Sequence, residues 1–205
     1  MIGLKRDGGL WTATIARPDK ANSLTAEMLE TLAGFAEDAA AGARALVLTG
    51  EGKVFSAGAD LDEARAGLAT SPLWERLSDA IAQAPILTIA ALNGTLAGGA
   101  FGMALACDLR LAVPGAKFFY PVMKLGFLPQ PSDPVRLAAL VGPARAKMIL
   151  MAGQKIDADE AQAWGLVDRI VERETLNESV AALAADALGA EAAHVAGIKR
   201  MIPGG

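Results

Sequence analysis

Two glycine-bearing turns are the segments of this 205-residue chain whose residues could do chemistry. The first, residues 54–61 (VFSAGADL), follows a short apolar run, and the second, residues 93–100 (NGTLAGGA), leads from a predicted strand into a helix. Both can present backbone N–H groups that lack a helical partner. Two such donors converging on one point would stabilise a negatively charged oxygen. The alternative is that the small residues merely allow a strand and a helix to pack closely.

The composition excludes several other kinds of site. Lys and Arg number 19 against 23 Asp and Glu, so the net charge is −4 and nucleic acid is not an expected partner. The single cysteine, Cys107, cannot form an intramolecular disulfide or a multi-thiolate zinc site, and it is expected to be a buried, inert thiol. The single histidine, His194, excludes a metal site with two imidazoles and is expected on the surface rather than in a catalytic triad.

The apolar middle of the chain raises the question of a membrane span, because residues 81–107 contain no charged side chain. Turn-forming residues interrupt this stretch, namely Pro85, Asn93, Gly94, Gly98 and Gly99. We therefore expect a short strand, a turn and a helix there, and no membrane span. The N-terminus carries Lys5, Arg6 and Asp7 without an unbroken apolar run, so a cytoplasmic location is expected.

The elements around the two turns alternate between strand and helix. Residues 10–16 predict a strand, Thr25 caps a predicted helix that ends near Gly42, and residues 45–49 predict a buried parallel strand. The pattern continues with a helix near 73–81, a strand at 86–91, a helix at 99–106 and a strand at 109–113. Such alternation indicates an α/β fold with crossover connections.

The rest of the chain is mainly helical in pattern. Asp157 and Glu160 predict a helix start with reciprocal capping, and residues 166–171 predict one more strand. The other helices are predicted at 135–140, 143–151, 175–188 and 191–201.

The motifs in this order closely resemble the crotonase (enoyl-CoA hydratase/isomerase) superfamily. They are RPDKANSLTAEMLETL, FSAGADL, ILTIAALNGTLAGGAFGMALACDLRLA, KLGFLP and IDADEAQAWGLVDRIV, and they run from about residue 10 to 171. The resemblance implies a crotonase-like (ClpP/crotonase) spiral of β-β-α units followed by a short helical C-terminal region. It implies one acyl-CoA-binding domain over 1–205, with 1–171 as the core and 172–205 as a shortened helical part.

The resemblance also implies the ligand and its contacts. An acyl-CoA thioester would place its carbonyl oxygen between the N–H groups of Ala59 and Gly99. Coenzyme A would enter as part of the substrate, with no separate cofactor and no metal. The implied contacts to the substrate are Lys20, Ala21, Ala57, Ala59, Asp60, Leu61, Asp62, Gly98, Gly99, Tyr120 and Val122. A homotrimer or a dimer of trimers is the implied assembly, and fatty-acid or aromatic-acid metabolism the implied setting.

The sequence departs from the family's hydratases at two side chains. Gly102 and Val122 stand where the resemblance places the two catalytic glutamates, and Gln130 stands where isomerases of the family can carry a carboxylate. Hydration needs a polarised water and a proton for the α-carbon, so an efficient hydratase is not expected. The expected reaction is of the isomerase, decarboxylase or thioester hydrolase type. The alternative is a catalytically silent acyl-CoA-binding or assembly protein.

The candidate general base is Asp133. The alternative for this residue is a turn-capping carboxylate before Pro134, because Asp before Pro is a common turn device. The other ionisable candidates are Asp62, Glu63 and Tyr120. Asp60 is expected instead to accept N–H groups of its own following turn.

Overall fold

The computed structural model describes residues 1–202. Their strands are β1 (Ile2–Asp7), β2 (Leu10–Ile15), β3 (Ala45–Gly50), β4 (Val54–Ser56), β5 (Leu87–Leu92), β6 (Thr95–Ala97), β7 (Leu109–Ala112), β8 (Lys117–Phe119), β9 (Ile156–Asp157) and β10 (Arg169–Ile170). Their α-helices are α1 (Ala26–Gly42), α2 (Leu61–Arg65), α3 (Leu73–Gln83), α4 (Phe101–Leu105), α5 (Val122–Leu125), α6 (Asp133–Val141), α7 (Pro143–Leu150), α8 (Ala158–Trp164), α9 (Leu176–Gly189) and α10 (Ala192–Met201). Short 3-10 turns occur at Pro18–Lys20, Leu68–Thr70, Gly98–Ala100 and Arg173–Thr175.

Two helix starts follow directly from local sequence. Thr25 caps α1, and its hydroxyl oxygen accepts a hydrogen bond from the N–H of Met28 at 3.2 Å. Asp157 and Glu160 form the predicted reciprocal capping box at the start of α8. The capping predictions made from the sequence are therefore confirmed at both helices.

Within residues 1–202 the strands form two sheets. The larger has the order β1-β2-β3-β5-β7-β10, and all neighbours are parallel except the antiparallel pair β1 and β2. The smaller has the order β4-β6-β8-β9, of which the first three strands are parallel. Each strand of the main sheet from β3 to β7 is thus followed by a strand of the small sheet.

The alternation between sheets produces a spiral. The pairs β3 and β4, β5 and β6, and β7 and β8 are each followed by helices before the chain returns to the main sheet. This arrangement confirms the expected spiral of β-β-α units. Helix α9 packs on the main sheet against β3, β5 and β7. Lys199 of α10 donates to Ile86 O at 3.0 Å and to an Asp108 carboxylate oxygen at 2.9 Å. These bonds hold α10 to the residues just before β5 and β7.

Some elements differ from the sequence prediction. β1 was not predicted, because its residues are largely exposed and carry charges rather than a buried alternation. The strand predicted at 166–171 shortens to Arg169–Ile170, and the helix predicted at 99–106 begins as a 3-10 turn and ends at Leu105. Among the residues that the structure describes, no helix is long and apolar enough to cross a membrane.

Candidate active site

The first glycine turn orients the backbone N–H and C=O groups of Ala59. Ala59 forms a single parallel bridge with Leu24, in which Leu24 N–H donates to Gly58 O and Asp60 N–H donates to Leu24 O, both at 2.8 Å. In a parallel bridge a residue bonds to the two neighbours of its partner. The N–H and C=O groups of Ala59 itself consequently point away from Leu24.

The second turn places Gly99 at the start of a helical run. β6 ends at Ala97, the 3-10 turn Gly98–Ala100 follows, and α4 continues it. The first N–H groups of such a run have no carbonyl behind them in the helix. The Trp74 indole lies 3.3 Å from the point that a Cβ of Gly99 would occupy, and its Nε1–H is fixed by Leu68 O at 2.8 Å. The buried indole therefore fixes the position of the Gly99 backbone.

The two turns pack against each other through backbone atoms. Gly58 has φ +93°, and a Cβ on it would lie 3.0 Å from Ala97 O and 3.3 Å from Gly99 N. Gly98 has φ +58°, and a Cβ on it would lie 3.5 Å from Gly58 Cα. Both glycines need a conformation that L side chains rarely adopt. The close approach brings the backbone next to Ala59 into contact with that of Gly99.

An ion pair fixes the first turn from the outside. Arg17 Nη1 donates to Asp60 Oδ2 at 2.8 Å and to Ser23 O at 3.3 Å. The hydrogen bond from Arg17 holds the pKa of Asp60 below its usual value. Asp60 Oδ1 accepts the N–H groups of Asp62 and Glu63, so its expected role in its own loop is confirmed. Sequence reasoning missed Arg17, although it lies in the RPDKAN motif.

A buried hydroxyl fixes the same turn from the inside. Ser56 Oγ donates to Asn22 O at 2.8 Å and accepts from Gly58 N–H at 3.2 Å. The Asn22 side chain bonds back to Arg17 N–H and to the carbonyls of Glu51 and Val54. These bonds set the path of the backbone into Ala59.

The residues expected beside the coenzyme lie on the same side as the first turn. Ala57 N–H donates to Ala21 O at 3.0 Å, which joins the segment after the turn Pro18–Lys20 to residues 57–60. Lys20 is exposed next to this contact. Leu61 and Asp62 are exposed at the start of α2. The structure therefore brings the first-turn residues and the Lys20-Ala21 pair together.

The positions without carboxylates are both buried. Val122 begins α5 and is 6% exposed. Gly102 lies on α4, three residues after Gly99, and a Cβ on it would meet Asp133 Oδ1 at 2.8 Å and Ser78 Oγ at 2.7 Å. Both distances are shorter than real Cβ contacts allow. The space that a side chain at position 102 would need is thus filled by two other side chains, and no sequence signal indicated Ser78.

Asp133 is completely buried beside Gly102. Tyr120 Oη–H donates to Asp133 Oδ2 at 2.9 Å, whereas Oδ1 has no hydrogen-bond partner among the described residues. Burial raises the pKa of Asp133 to about 7, an effect that Glu75 increases and that Tyr120 and Arg136 oppose. Burial and the Asp133 charge also raise the pKa of Tyr120. The carboxyl faces Tyr120 and Gly102 rather than the N–H groups of its own helix turn, so the turn-capping alternative is wrong.

The other candidate side chains are held by hydrogen bonds or ion pairs, or are exposed to solvent. Glu63 Oε2 accepts Ala26 N–H at 2.7 Å at the start of α1, and Asp62 pairs with Arg65 at 3.2 Å in solvent. Gln130 Nε2 donates to Ala69 O at 3.1 Å, which ties its loop to the turn Leu68–Thr70. His194 is exposed, and burial raises the pKa of Cys107 to about 12. No cluster of three or more metal-ligating His, Cys, Asp or Glu side chains occurs within the described part of the chain.

Comparison with known proteins gives the same family along nearly the whole chain. A family model described as enoyl-CoA hydratase/isomerase matches residues 5–203. A probable enoyl-CoA hydratase of Mycobacterium leprae is 36% identical over 178 residues, which cover 83% of this chain and 71% of that protein. A 4-chlorobenzoyl coenzyme A dehalogenase of an Arthrobacter species is 33% identical over 210 residues, covering 96% and 75% respectively. The crystal structure of an enoyl-CoA hydratase from Bacillus anthracis has a TM-score of 0.89 and 31% identity, covering 97% of this chain and 81% of that one.

Proposed function

The chain belongs to the enoyl-CoA hydratase/isomerase family, and from this premise we propose that it binds an acyl-CoA thioester and catalyses proton transfer at the α-carbon of the acyl group. The observation that carries the proposal is the backbone contact between the two glycine turns. A Cβ on Gly58 would lie 3.3 Å from Gly99 N, and the parallel bridge leaves the N–H of Ala59 directed away from Leu24.

Two backbone donors suit a thioester enolate. Removing a proton from the α-carbon moves an electron pair onto the carbonyl oxygen, where the Ala59 and Gly99 N–H groups would donate to it. Donors held in place by the fold stabilise that charge without reorganising, so they favour the enolate over the neutral thioester. The exposed Lys20 and the adjoining segment 57–62 would bind the coenzyme, with the lysine ammonium near its phosphates.

The side chains argue against hydration. Position 102 has no side chain and position 122 is a valine, so neither can polarise a water molecule or deliver a proton. The two relatives described above are named as a hydratase and a dehalogenase, so the names of relatives do not decide the reaction. We favour the isomerase type, because a shift of a double bond needs one proton carrier and no water. A decarboxylase or a thioester hydrolase would use the same two donors.

A direct test separates binding from catalysis. Calorimetry should show that butyryl-CoA binds and that butyrate does not. Proton NMR in D₂O should show exchange of the α-protons of butyryl-CoA, and 3-hexenoyl-CoA should be converted to the 2-enoyl product, which is followed by its absorbance. Absence of binding would overturn the proposal.

Loss of both carboxylates also favours a second candidate, a catalytically silent acyl-CoA binder. Binding without α-proton exchange, double-bond shift, decarboxylation of a malonyl-type thioester or release of free coenzyme A would establish this alternative. A malonyl-CoA decarboxylation assay and a thiol-release assay on the same samples therefore complete the experiment.

A further inference from the structure

We infer that Asp133 is the proton carrier of this site, supplied from α6 into the space that a residue-102 side chain on α4 would occupy, and that Tyr120 positions it. The inference rests on the proposed thioester binding and adds the reacting side chain to it. Three observations support it: the place of the carboxyl, its unpaired oxygen and its hydrogen bond to Tyr120.

The place of the carboxyl follows from the helix geometry. Gly99 and Gly102 are three residues apart in one helical run, so they share a face and are separated by about 5 Å along the axis. Asp133 Oδ1 lies 2.8 Å from the point where a Cβ of Gly102 would be. The α-carbon of a thioester is bonded directly to the carbonyl carbon whose oxygen Gly99 would hold. Asp133 Oδ1 therefore lies on the Gly102 side of α4, about one helical turn from Gly99.

The unpaired oxygen distinguishes this carboxyl from a structural one. Buried polar atoms almost always have a hydrogen-bond partner, and an exception calls for an explanation. Oδ1 of Asp133 has none among the described residues, whereas Oδ2 accepts from Tyr120 at 2.9 Å. One oxygen is thus fixed by Tyr120, and the other is buried without a hydrogen-bond partner among the described residues, which leaves it free to accept a proton. The raised pKa of Asp133, about 7, is compatible with taking and returning a proton near neutral pH.

Tyr120 is a positioning residue because its hydroxyl donates to Asp133 Oδ2 at 2.9 Å. Its ring stacks on Phe101 of α4 with centroids 5.4 Å apart, so the hydroxyl is fixed relative to the helix that carries Gly99 and Gly102. The charged and titratable groups that act on Asp133 are Tyr120, Glu75 from α3 and Arg136 from α6. Among residues 1–202, only Tyr120 contacts it by a side-chain hydrogen bond.

The proton balance of the step is complete. The C–H bond at the α-carbon breaks, an O–H bond forms on Asp133 Oδ1, and the electron pair passes to the carbonyl oxygen held by Ala59 and Gly99. Return of the proton to the α-carbon gives exchange, and its return to the γ-carbon of a 3-enoyl thioester gives the 2-enoyl product. No oxidant, metal or second base is required.

Asp133→Asn tests the assignment in the full chain. It should lower α-proton exchange of butyryl-CoA in D₂O by about 10²- to 10⁴-fold, while calorimetry shows unchanged binding of butyryl-CoA. Asp186→Asn, on an exposed carboxylate of α9, is the matched control and should leave exchange unchanged. Exchange that persists near the wild-type rate in Asp133→Asn would overturn the inference alone. Binding without exchange in the wild-type protein would overturn the inference and the proposed catalysis together, and absence of binding would overturn the proposed function itself.

Tyr120→Phe supplies a second readout that a merely structural role would not move. The Tyr120 hydrogen bond lowers the pKa of Asp133, so its loss should shift the midpoint of the rate-against-pH profile of exchange to higher pH. Exchange should still reach a plateau above that midpoint. An unshifted midpoint in a variant that binds butyryl-CoA would contradict the assignment, whether or not Asp133→Asn folds.

Discussion

The backbone of the two glycine turns and the side-chain corner around Gly102 are adjacent but are built on different principles. The turns use N–H groups, glycines with positive φ and a bridge to Leu24. The corner combines side chains from α3, the segment before α5, and α6 around a helix position that has no side chain of its own. The turns therefore depend on backbone conformation within short segments, whereas the corner depends on how distant helices pack together.

The largest expected effect is the change in unfolding free energy with pH that the Asp133 carboxyl produces. The pKa of Asp133 is raised from 3.8 to about 7 by burial, so the folded protein holds a proton that the unfolded chain releases. Stability from this group is complete below pH 3.8 and is lost as pH rises through about 7. Relative to Asp133→Asn, the wild-type protein should lose about 4 kcal/mol of unfolding free energy between pH 4 and pH 8.

Urea denaturation of both proteins at several pH values measures this difference. All other titrating groups are common to the two proteins, so they cancel when the two curves are subtracted. The groups that act on Asp133, namely Tyr120, Glu75 and Arg136, are unchanged in the variant. Parallel pH profiles for the two proteins would show that Asp133 titrates normally.

The second effect concerns the backbone turns. Gly58→Ala requires φ +93° for an alanine and places its Cβ 3.0 Å from Ala97 O and 3.3 Å from Gly99 N. The turns should separate, and α-proton exchange should fall by about 10²- to 10³-fold, the range for one lost oxyanion donor.

Gly115→Ala is the matched control for this change. Gly115 also has a positive φ, +78°, but a Cβ on it would meet no atom within 4 Å. Both variants incur the left-handed backbone cost of about 1–2 kcal/mol, whereas only Gly58→Ala disturbs the contact between the turns. Equal rates of exchange in the two variants would contradict the role of the turns.

The third effect tests whether positions 102 and 133 share one space. Gly102→Ala should destabilise the protein by about 1–3 kcal/mol, because its methyl group collides with Asp133 and Ser78. The loss should shrink in an Asp133→Ala background, with a coupling energy of at least about 0.5 kcal/mol in the double-mutant cycle. Additive losses would show that the two positions do not compete.

Gly34→Ala should change the free energy of unfolding in the opposite direction, although Gly34 is also a helical glycine. A Cβ on Gly34 of α1 would meet no atom within 4 Å. This variant should therefore be more stable by roughly 0.5–1 kcal/mol, the usual gain of alanine over glycine within a helix. Denaturant midpoints of the variants at positions 34 and 102 measure both effects under the same conditions.

The last effect concerns the ion pair that supports the first turn from the outside. Arg17→Met removes the hydrogen bonds to Asp60 and Ser23 from a partly buried side chain. We expect a loss of about 1 kcal/mol in transition-state stabilisation, or roughly fivefold in turnover. Arg6→Met, which breaks a more exposed pair with Asp38, should leave turnover unchanged. Equal turnover in both variants would show that Arg17 does not help to position Ala59.

The sequence predicted the two glycine turns and the elements beside them, because these depend on local signals. Glycines at the two turns, the strand before each turn and the helix after the second are visible in a stretch of residues 45–106. The caps at Thr25 and Asp157 are local as well, and both were confirmed. β1 was missed because a two-stranded pairing of exposed residues leaves no periodic apolar pattern.

The tertiary structure alone decided the side-chain part. Gly102 and Val122 stand where the family resemblance places two catalytic glutamates. The structure shows that Asp133 and Ser78 fill the space beside Gly102, so a glutamate at position 102 requires both side chains to be displaced. Spacing along a chain does not report which side chains from distant elements fill one volume, because that depends on how α3, α4 and α6 pack together. It likewise could not distinguish a turn-capping carboxylate from a buried one, since the two differ only in the direction in which the fold turns the Asp133 side chain.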